Sequence, residues 1–138
     1  MRVLTRLTPF LSFDGNAREA MDFYHRVFGG SLVRSTYGDL GGRKEWTDRV
    51  MHAVLETATG LVLMASDQAP GTSRREGNAV ALSLSGDNAP ELRGFWDRLA
   101  DGGTVTAPLE VQSWGDELGT CVDRFGVSWV VSIATAPV

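Results

Sequence analysis

With 138 residues, 43% of them hydrophobic and 22% charged, the chain has the size and composition of one globular domain with a buried core. A net charge of −4 excludes a general nucleic-acid or anionic-membrane surface, which needs a basic face, and no apolar run reaches the length of a membrane span. The stretch Met1 to Arg6 lacks the apolar run of a signal peptide, so the cytoplasm is the expected location; the single cysteine, Cys121, excludes an internal disulfide.

In chain order, Arg6 to Phe13 alternates apolar and polar residues and reads as a strand. Asn16 and Glu19 have capping-box spacing and open a helix running to about Phe28. Ala20, Phe23, Tyr24, Val27 and Phe28 form its apolar stripe, and Gly29-Gly30 stops it. Ser31 to Tyr37 is a second strand and Gly38 to Thr47 a polar loop. Val50 to Thr57 and Leu61 to Ser66 are two strands around a Thr59-Gly60 turn. Asp67 to Asn78, rich in Gly, Pro, Ser and Arg, reads as an exposed connection. The order then repeats. Ala79 to Ser85 is a strand, and Asn88 caps a helix with Pro90 in its first turn and Leu92, Phe95, Trp96 and Leu99 as its stripe. Strands Thr104 to Leu109, Glu117 to Val122 and Val127 to Ile133 follow.

The repetition is literal as well. Leu11-Ser12-Phe13-Asp14-Gly15 returns as Leu82-Ser83-Leu84-Ser85-Gly86, and Asn16-x-x-Glu19 as Asn88-x-x-Glu91. Phe23-Tyr24-x-Arg26 returns as Phe95-Trp96-x-Arg98, and Gly29-Gly30 as Gly102-Gly103. The spacing between copies drifts from 71 (residues 11 and 82) through 72 (16 and 88) to 73 (29 and 102). An α+β domain over 1–138 is expected, with module one at about 5–67, a linker at about 68–78 and module two at about 79–135. A repeated unit with one face to bury tends to pair with its copy, and a cavity can open at the seam.

Alternation divides each strand into two faces. Val80, Leu82 and Leu84 are expected to face a helix, opposite the small Ala79, Ala81, Ser83 and Ser85. Trp129, Val131 and Ile133 oppose Ser128, Val130 and Ser132, and Leu7, Pro9, Leu11 and Phe13 oppose Thr8, Phe10 and Ser12. The second face is too small and polar for a tight core; it either lines an open cavity or meets solvent.

Three stretches carry a family resemblance. The first is Pro9-Phe10-Leu11-x-Phe13-Asp14-Gly15-Asn16-Ala17-x-Glu19-Ala20-Met21-x-Phe23-Tyr24-x-x-Val27-Phe28-Gly29-Gly30. The second is Met51-His52-Ala53 with Leu63-Met64-Ala65-Ser66-Asp67, and the third Gln112-x-Trp114-Gly115-Asp116-x-x-Gly119-x-x-x-Asp123-Arg124-Phe125-Gly126-Val127-x-Trp129. Together they resemble the PhnB-like branch of the vicinal oxygen chelate superfamily, which includes glyoxalase I, bleomycin-resistance proteins and extradiol dioxygenases. The resemblance implies two tandem βαβββ modules forming curved mixed sheets around an inter-module cavity, and a homodimer. In catalytic members a divalent metal is held by His, Glu or Gln from the first and fourth strands of each module. Matching the motifs places those positions at Thr8, Met64, Ala79 and Val130. Thr is a weak ligand, Met suits soft ions, and Ala and Val cannot ligate, so the usual metal site is not expected. No cofactor is expected, an unconventional divalent metal remaining the alternative. PhnB-like proteins are sometimes labelled ubiquinone-pathway methyltransferases, but no βα unit here carries a Gly-rich nucleotide loop, and the chain is short for a Rossmann domain.

The candidate catalytic residues are His52, Glu56 and Asp116. His52 and Glu56 share one strand face with Val54; His52 either serves as acid or base there or is hydrogen-bonded across the sheet. Gln112, Trp114 and Asp116 lie in a Gly-containing loop, where Trp114 either covers a ligand or plugs the loop and Asp116 satisfies turn amides. Phe10, Trp46, Met64, Ser83, Gln112, Trp114 and Ser128 are candidate ligand-binding residues. His25, beside Arg18 and Asp22, reads as a solvated surface residue, and Cys121 as a buried small apolar one. Three functions compete: a metal-independent small-molecule binder, in one version sequestering a toxic compound; a proton-transfer enzyme of lyase or isomerase type; and a scaffold or dimer without ligand.

Overall fold

A computed structural model describes residues 5–40, 47–68, 77 and 79–135. The chain divides into two compact units, Met1–Arg75 and Glu76–Val138. The first contains β1 (Phe10–Phe13), α1 (Ala17–Phe28), β2 (Ser31–Thr36), a 3₁₀ turn (Gly38–Leu40), β3 (Val50–Glu56) and β4 (Val62–Asp67). The second contains β5 (Leu82–Gly86), α2 (Ala89–Ala100), β6 (Thr104–Val111), β7 (Glu117–Val122) and β8 (Ser128–Ile133). Each unit is βαβββ, and the chain is α+β. The sheets run β1-β4-β3-β2 and β5-β8-β7-β6, with only β1–β4 and β5–β8 parallel.

The apolar stripes bury as the 3.6-residue period requires. Ala17, Ala20, Met21, Phe23, Tyr24 and Val27 of α1 and Leu92, Trp96 and Leu99 of α2 are buried. Each helix covers one face of its unit's sheet. In unit one that face carries Phe13, Ala53, Leu55, Leu63 and Ala65; in unit two it carries Leu84, Cys121, Trp129, Val131 and Ile133. Gly119 sits in this layer, where a Cβ would stand 2.9 Å from the Trp96 ring and 2.9 Å from the Leu109 Cα, so only a bare backbone lets the indole pack.

The two helix starts differ. Asn88 accepts from the Glu91 N–H at 3.2 Å, as its cap position predicts. Asn16 makes no side-chain cap bond, which corrects the capping box expected there. The Asp67 carboxylate does the work: Oδ1 accepts from the Gly15 and Ala17 N–H groups at 2.8 and 3.0 Å, and Oδ2 from the Val50 N–H at 2.9 Å. A full carboxylate at the positive end of α1 is a stronger acceptor than a neutral amide, and it joins β4, β3 and α1 at one point.

The most distinctive motif, Asp123 to Trp129, is explained by folding. Asp123 is buried; Oδ1 accepts from the Phe125 and Val127 N–H groups at 2.8 and 3.1 Å, and Oδ2 from the Trp129 indole N–H at 2.8 Å. Arg124 donates to the Asp101 carbonyl at 2.8 Å, closing the C-terminal end of α2. Thr57, the equivalent residue of unit one, does a lesser version: its hydroxyl accepts from the Leu61 N–H at 3.1 Å. His25 is also more than a solvated residue, since its Nε2–H donates to the Gly30 carbonyl at 2.9 Å beyond the end of α1.

Three sequence expectations are corrected. β1 is only Phe10–Phe13, although the Met64 N–H donates to the Pro9 carbonyl at 3.0 Å; Pro9 has no N–H with which to extend the ladder. Leu7 is fully exposed, and Val80 precedes β5 and is 75% exposed, so neither faces a helix. The third correction is to the register of the repeat. The hairpins match throughout at 66 residues: Leu55 pairs with Leu63, and Cys121 with Trp129. In that frame Phe10, opposite Met64, corresponds to Ser83, opposite Val130, which is 73 residues away and not 71. A slip of two leaves every side chain on its own face, so alternation alone cannot detect it.

Cys121 is buried, and burial, with the Asp123 carboxylate adding to it, pushes its thiol up to about 11. It is therefore expected to resist a disulfide reagent at pH 8 in the folded protein and to react fully once the protein is unfolded in guanidinium. Because the folded state holds this proton more tightly, the associated stability is complete below the thiol's ordinary 9.0 and is lost as pH rises towards about 11. Cys121→Ala should lack that part of the alkaline loss in unfolding measurements.

Candidate functional site

The face of the first sheet turned away from α1 is ordered in rows by strand register. Phe10 lies opposite Met64, Met64 opposite Val54, and Val54 opposite Val33: an apolar row across all four strands. Phe10 is 52% exposed and Val33 66%, and Met64 is half-buried. The neighbouring row is polar. Ser12 lies opposite Ser66, and His52, opposite Ser35, falls on the same face. A bulge pairs Thr36 with Val50 and skips Met51, at the end where this row begins.

On the other side of the apolar row, Glu56 lies opposite both Ser31 and Val62. There the face sinks into a depression of about 360 Å³ lined by Arg6, Leu7, Thr8, Glu56, Thr57, Gly60 and Val62. Arg6 and Glu56 are exposed, and among the described residues neither makes an ion pair. His52 and Glu56 stand four residues apart on one strand, about 13 Å along the backbone. They can meet one ligand from two sides, but they cannot hold one atom together.

In the second unit the corresponding face is hydroxyl-rich. Ser83 lies opposite Val130, Val130 opposite Thr120, and the Thr120 hydroxyl bonds that of Thr106 at 2.6 Å. Ser128, opposite Val122, is half-buried, whereas Ser83 is exposed. Gln112, Trp114 and Asp116 form the β6–β7 turn. The Gln112 N–H donates to the Asp116 carbonyl at 2.8 Å, and Gly115 adopts φ +101°. The Gln112 side-chain amide donates to the Glu110 carbonyl at 2.9 Å, holding the hairpin together. Trp114 projects from this turn 63% exposed, so it is not a plug; Asp116 is half-buried. Trp46 lies outside the described residues.

Thus Phe10, His52, Glu56 and Met64 share one face of unit one. Ser83 and Ser128 share a face of unit two, and Gln112, Trp114 and Asp116 share its β6–β7 turn. The sequence reading set Ser12 on the strand face of Phe10 and Val54 on that of His52, but missed Val33, Ser35, Ser66 and Arg6 as members of the first face. The same alternation that placed Phe10 and His52 marks them, but which strands adjoin, and in what register, is needed to gather them.

The positions that the family resemblance marks for a metal do not offer a donor set. Thr8 and Met64 stand in the first unit and Val130 in the second. The counterpart of Thr8 in the observed register is Ala81 and not Ala79, again a residue without a donor. Among the described residues, no three His, Cys, Asp or Glu side chains gather into a group able to hold a metal ion. One hydroxyl and one thioether do not make the imidazole and carboxylate set that a divalent ion requires.

A family model described as 3-demethylubiquinone-9 3-methyltransferase matches residues 5–132. Among solved structures, protein PA1353 from Pseudomonas aeruginosa is 36% identical, with a TM-score of 0.85 over 94% of this chain and 98% of that one. A putative 3-demethylubiquinone-9 3-methyltransferase, PhnB protein, from Bacillus cereus is 29% identical, with a TM-score of 0.78 over 94% and 100%. A glyoxylase/bleomycin resistance protein/dioxygenase domain from Frankia is 15% identical, with a TM-score of 0.66 over 96% and 99%, and shows the shared fold.

Proposed function

The chain belongs to the PhnB-like 3-demethylubiquinone-9 3-methyltransferase family, of the vicinal oxygen chelate superfamily, and from that premise we propose that it binds a small amphiphilic molecule without the help of a metal. One observation carries the reading: the row Phe10–Met64–Val54–Val33, apolar and partly exposed on a sheet face that the unit's own helix does not cover, bordered by the polar row of Ser12, Ser66, His52 and Ser35. A predominantly apolar surface with a small number of polar groups beside it is what a small-molecule site needs. The donor-poor metal positions support the metal-independent form. Methyl transfer is not adopted: the parallel pair β1–β4 brackets a helix and two antiparallel strands, and no Gly-rich phosphate loop follows β1. The proposal includes a cytoplasmic homodimer, the dimer drawing on the family resemblance. No helix among the described residues is long and apolar enough to cross a membrane.

The test uses anilinonaphthalene sulfonate as an apolar probe. Phe10→Ala with Met64→Ala should weaken its binding about tenfold, the effect of deleting a central aromatic contact, and chelator dialysis should leave it unchanged. Probe binding indifferent to the double variant sinks the proposal. Zinc, nickel or manganese retained at one equivalent after purification in chelator refutes its metal-free part. His52, seated between hydroxyl-bearing neighbours, favours one second reading, an acid–base enzyme; proton-transfer turnover lost in His52→Ala would establish it over simple binding.

A further inference from the structure

We infer that the depression beside Glu56 recognises the charged head of an aromatic α-amino acid, whose ring lies along the apolar row; this rests on the binding reading above and specifies its ligand. Arg6 and Glu56 carry opposite charges into one concavity of about 360 Å³ and, among the described residues, neither is neutralised by an ion pair. A plain anion would meet repulsion from Glu56, and a plain cation repulsion from Arg6. A zwitterion satisfies both: its carboxylate accepts from the guanidinium and its ammonium donates to the carboxylate. Thr8 lines the same depression.

The strands fix where the ligand's body goes. Thr8 is followed two residues on by Phe10, and Val62 by Met64, so the apolar row begins about 7 Å from the head site. That is the reach of a benzyl or indolylmethyl side chain from its α-carbon. Phe10 offers an exposed ring and Met64 a polarizable thioether to an aromatic body. A free aliphatic amino acid would reach the row less well, and an aromatic hydrocarbon would leave both charges unmatched.

The experiment titrates the full chain by calorimetry with L-phenylalanine, its methyl ester (ammonium only) and its N-acetyl derivative (carboxylate only). Wild type should bind the zwitterion about tenfold more tightly than either derivative. Arg6→Gln should abolish the preference over the methyl ester alone, and Glu56→Gln the preference over the N-acetyl derivative alone. Both side chains are exposed, so the variants should keep the wild-type circular dichroism and unfolding midpoint. Equal affinity for all three compounds, or no binding of L-phenylalanine where anilinonaphthalene sulfonate binds normally and responds to Phe10→Ala with Met64→Ala, overturns this inference and leaves the broader proposal standing. Loss of the dye response as well defeats both.

Discussion

Replacing Asp67 by alanine is expected to destabilise the first unit by about 4 kcal/mol, read from the midpoint of urea unfolding. The side chain is 2% exposed and accepts from three backbone N–H groups belonging to Gly15, Ala17 and Val50. Its removal strands at least the Ala17 and Val50 donors in a buried setting, at roughly 1–3 kcal/mol each, and takes a negative charge from the start of α1. Asp67→Asn should lose about half as much: Oδ1 can still serve the helix, but the amide N–H₂ then confronts the Val50 N–H. Asn16→Ala should be almost neutral, because Asn16 makes no cap bond, whereas Asn88→Ala should cost about 1 kcal/mol. A midpoint for Asp67→Ala within experimental error of wild type would refute the assignment.

Gly30→Ala is expected to cost at least about 2 kcal/mol more than Gly29→Ala, one residue earlier, where φ +73° with ψ −158° already makes alanine cost roughly 1–3 kcal/mol. Both glycines have left-handed φ, +73° at Gly29 and +91° at Gly30. A Cβ on Gly29 would meet nothing within 4 Å, so the loss there is conformational. On Gly30 it would stand 2.2 Å from the Glu56 carbonyl oxygen and 2.9 Å from the Thr57 Cα, both backbone atoms that cannot turn aside. The second unit repeats the arrangement. At Gly102 the nearest atom is the flexible Arg124 side chain, while at Gly103 a Cβ would lie 2.3 Å from the Val122 carbonyl oxygen. Equal midpoints for the two alanine variants would contradict the close approach. Because Glu56 borders the proposed head site, Gly30→Ala should also weaken L-phenylalanine binding, whereas Gly29→Ala should not.

The glycine pairs show how the repeat is to be understood. In each pair the first residue follows a helix end and the second lies against the turn-proximal end of a hairpin, so the letters recur because the same packing recurs. Between the helix and the second glycine, unit two has one residue more: α2 ends at Ala100 and Asp101 intervenes. That is the physical content of the drift from 72 to 73. The Leu-Ser match at the first strands has no such cause. It aligns β1 with β5 two residues away from the pairing that the hydrogen bonds make.

The candidate site divides along the same line. Periodicity of two placed Phe10, His52 and Glu56 on one strand face each, because alternation is a property of the single strand. It did not say that Phe10 adjoins Met64, that Val33 and Val54 complete their row, or that Arg6 comes to the same depression as Glu56. Those are contacts between strands distant in sequence.

The sequence by itself determined the α+β composition, the duplication, both helices with their buried stripes and the order of the strands. Each follows from local spacing or from the chemistry of a residue at its position. Only the tertiary structure decided which acceptor caps α1, which glycine cannot gain a Cβ, and which side chains share the face of the candidate site. The cap arrives from Asp67, some fifty residues from the helix it starts. Register across strands is chosen by hydrogen bonding and packing over such separations, and a slip of two leaves the local pattern unchanged.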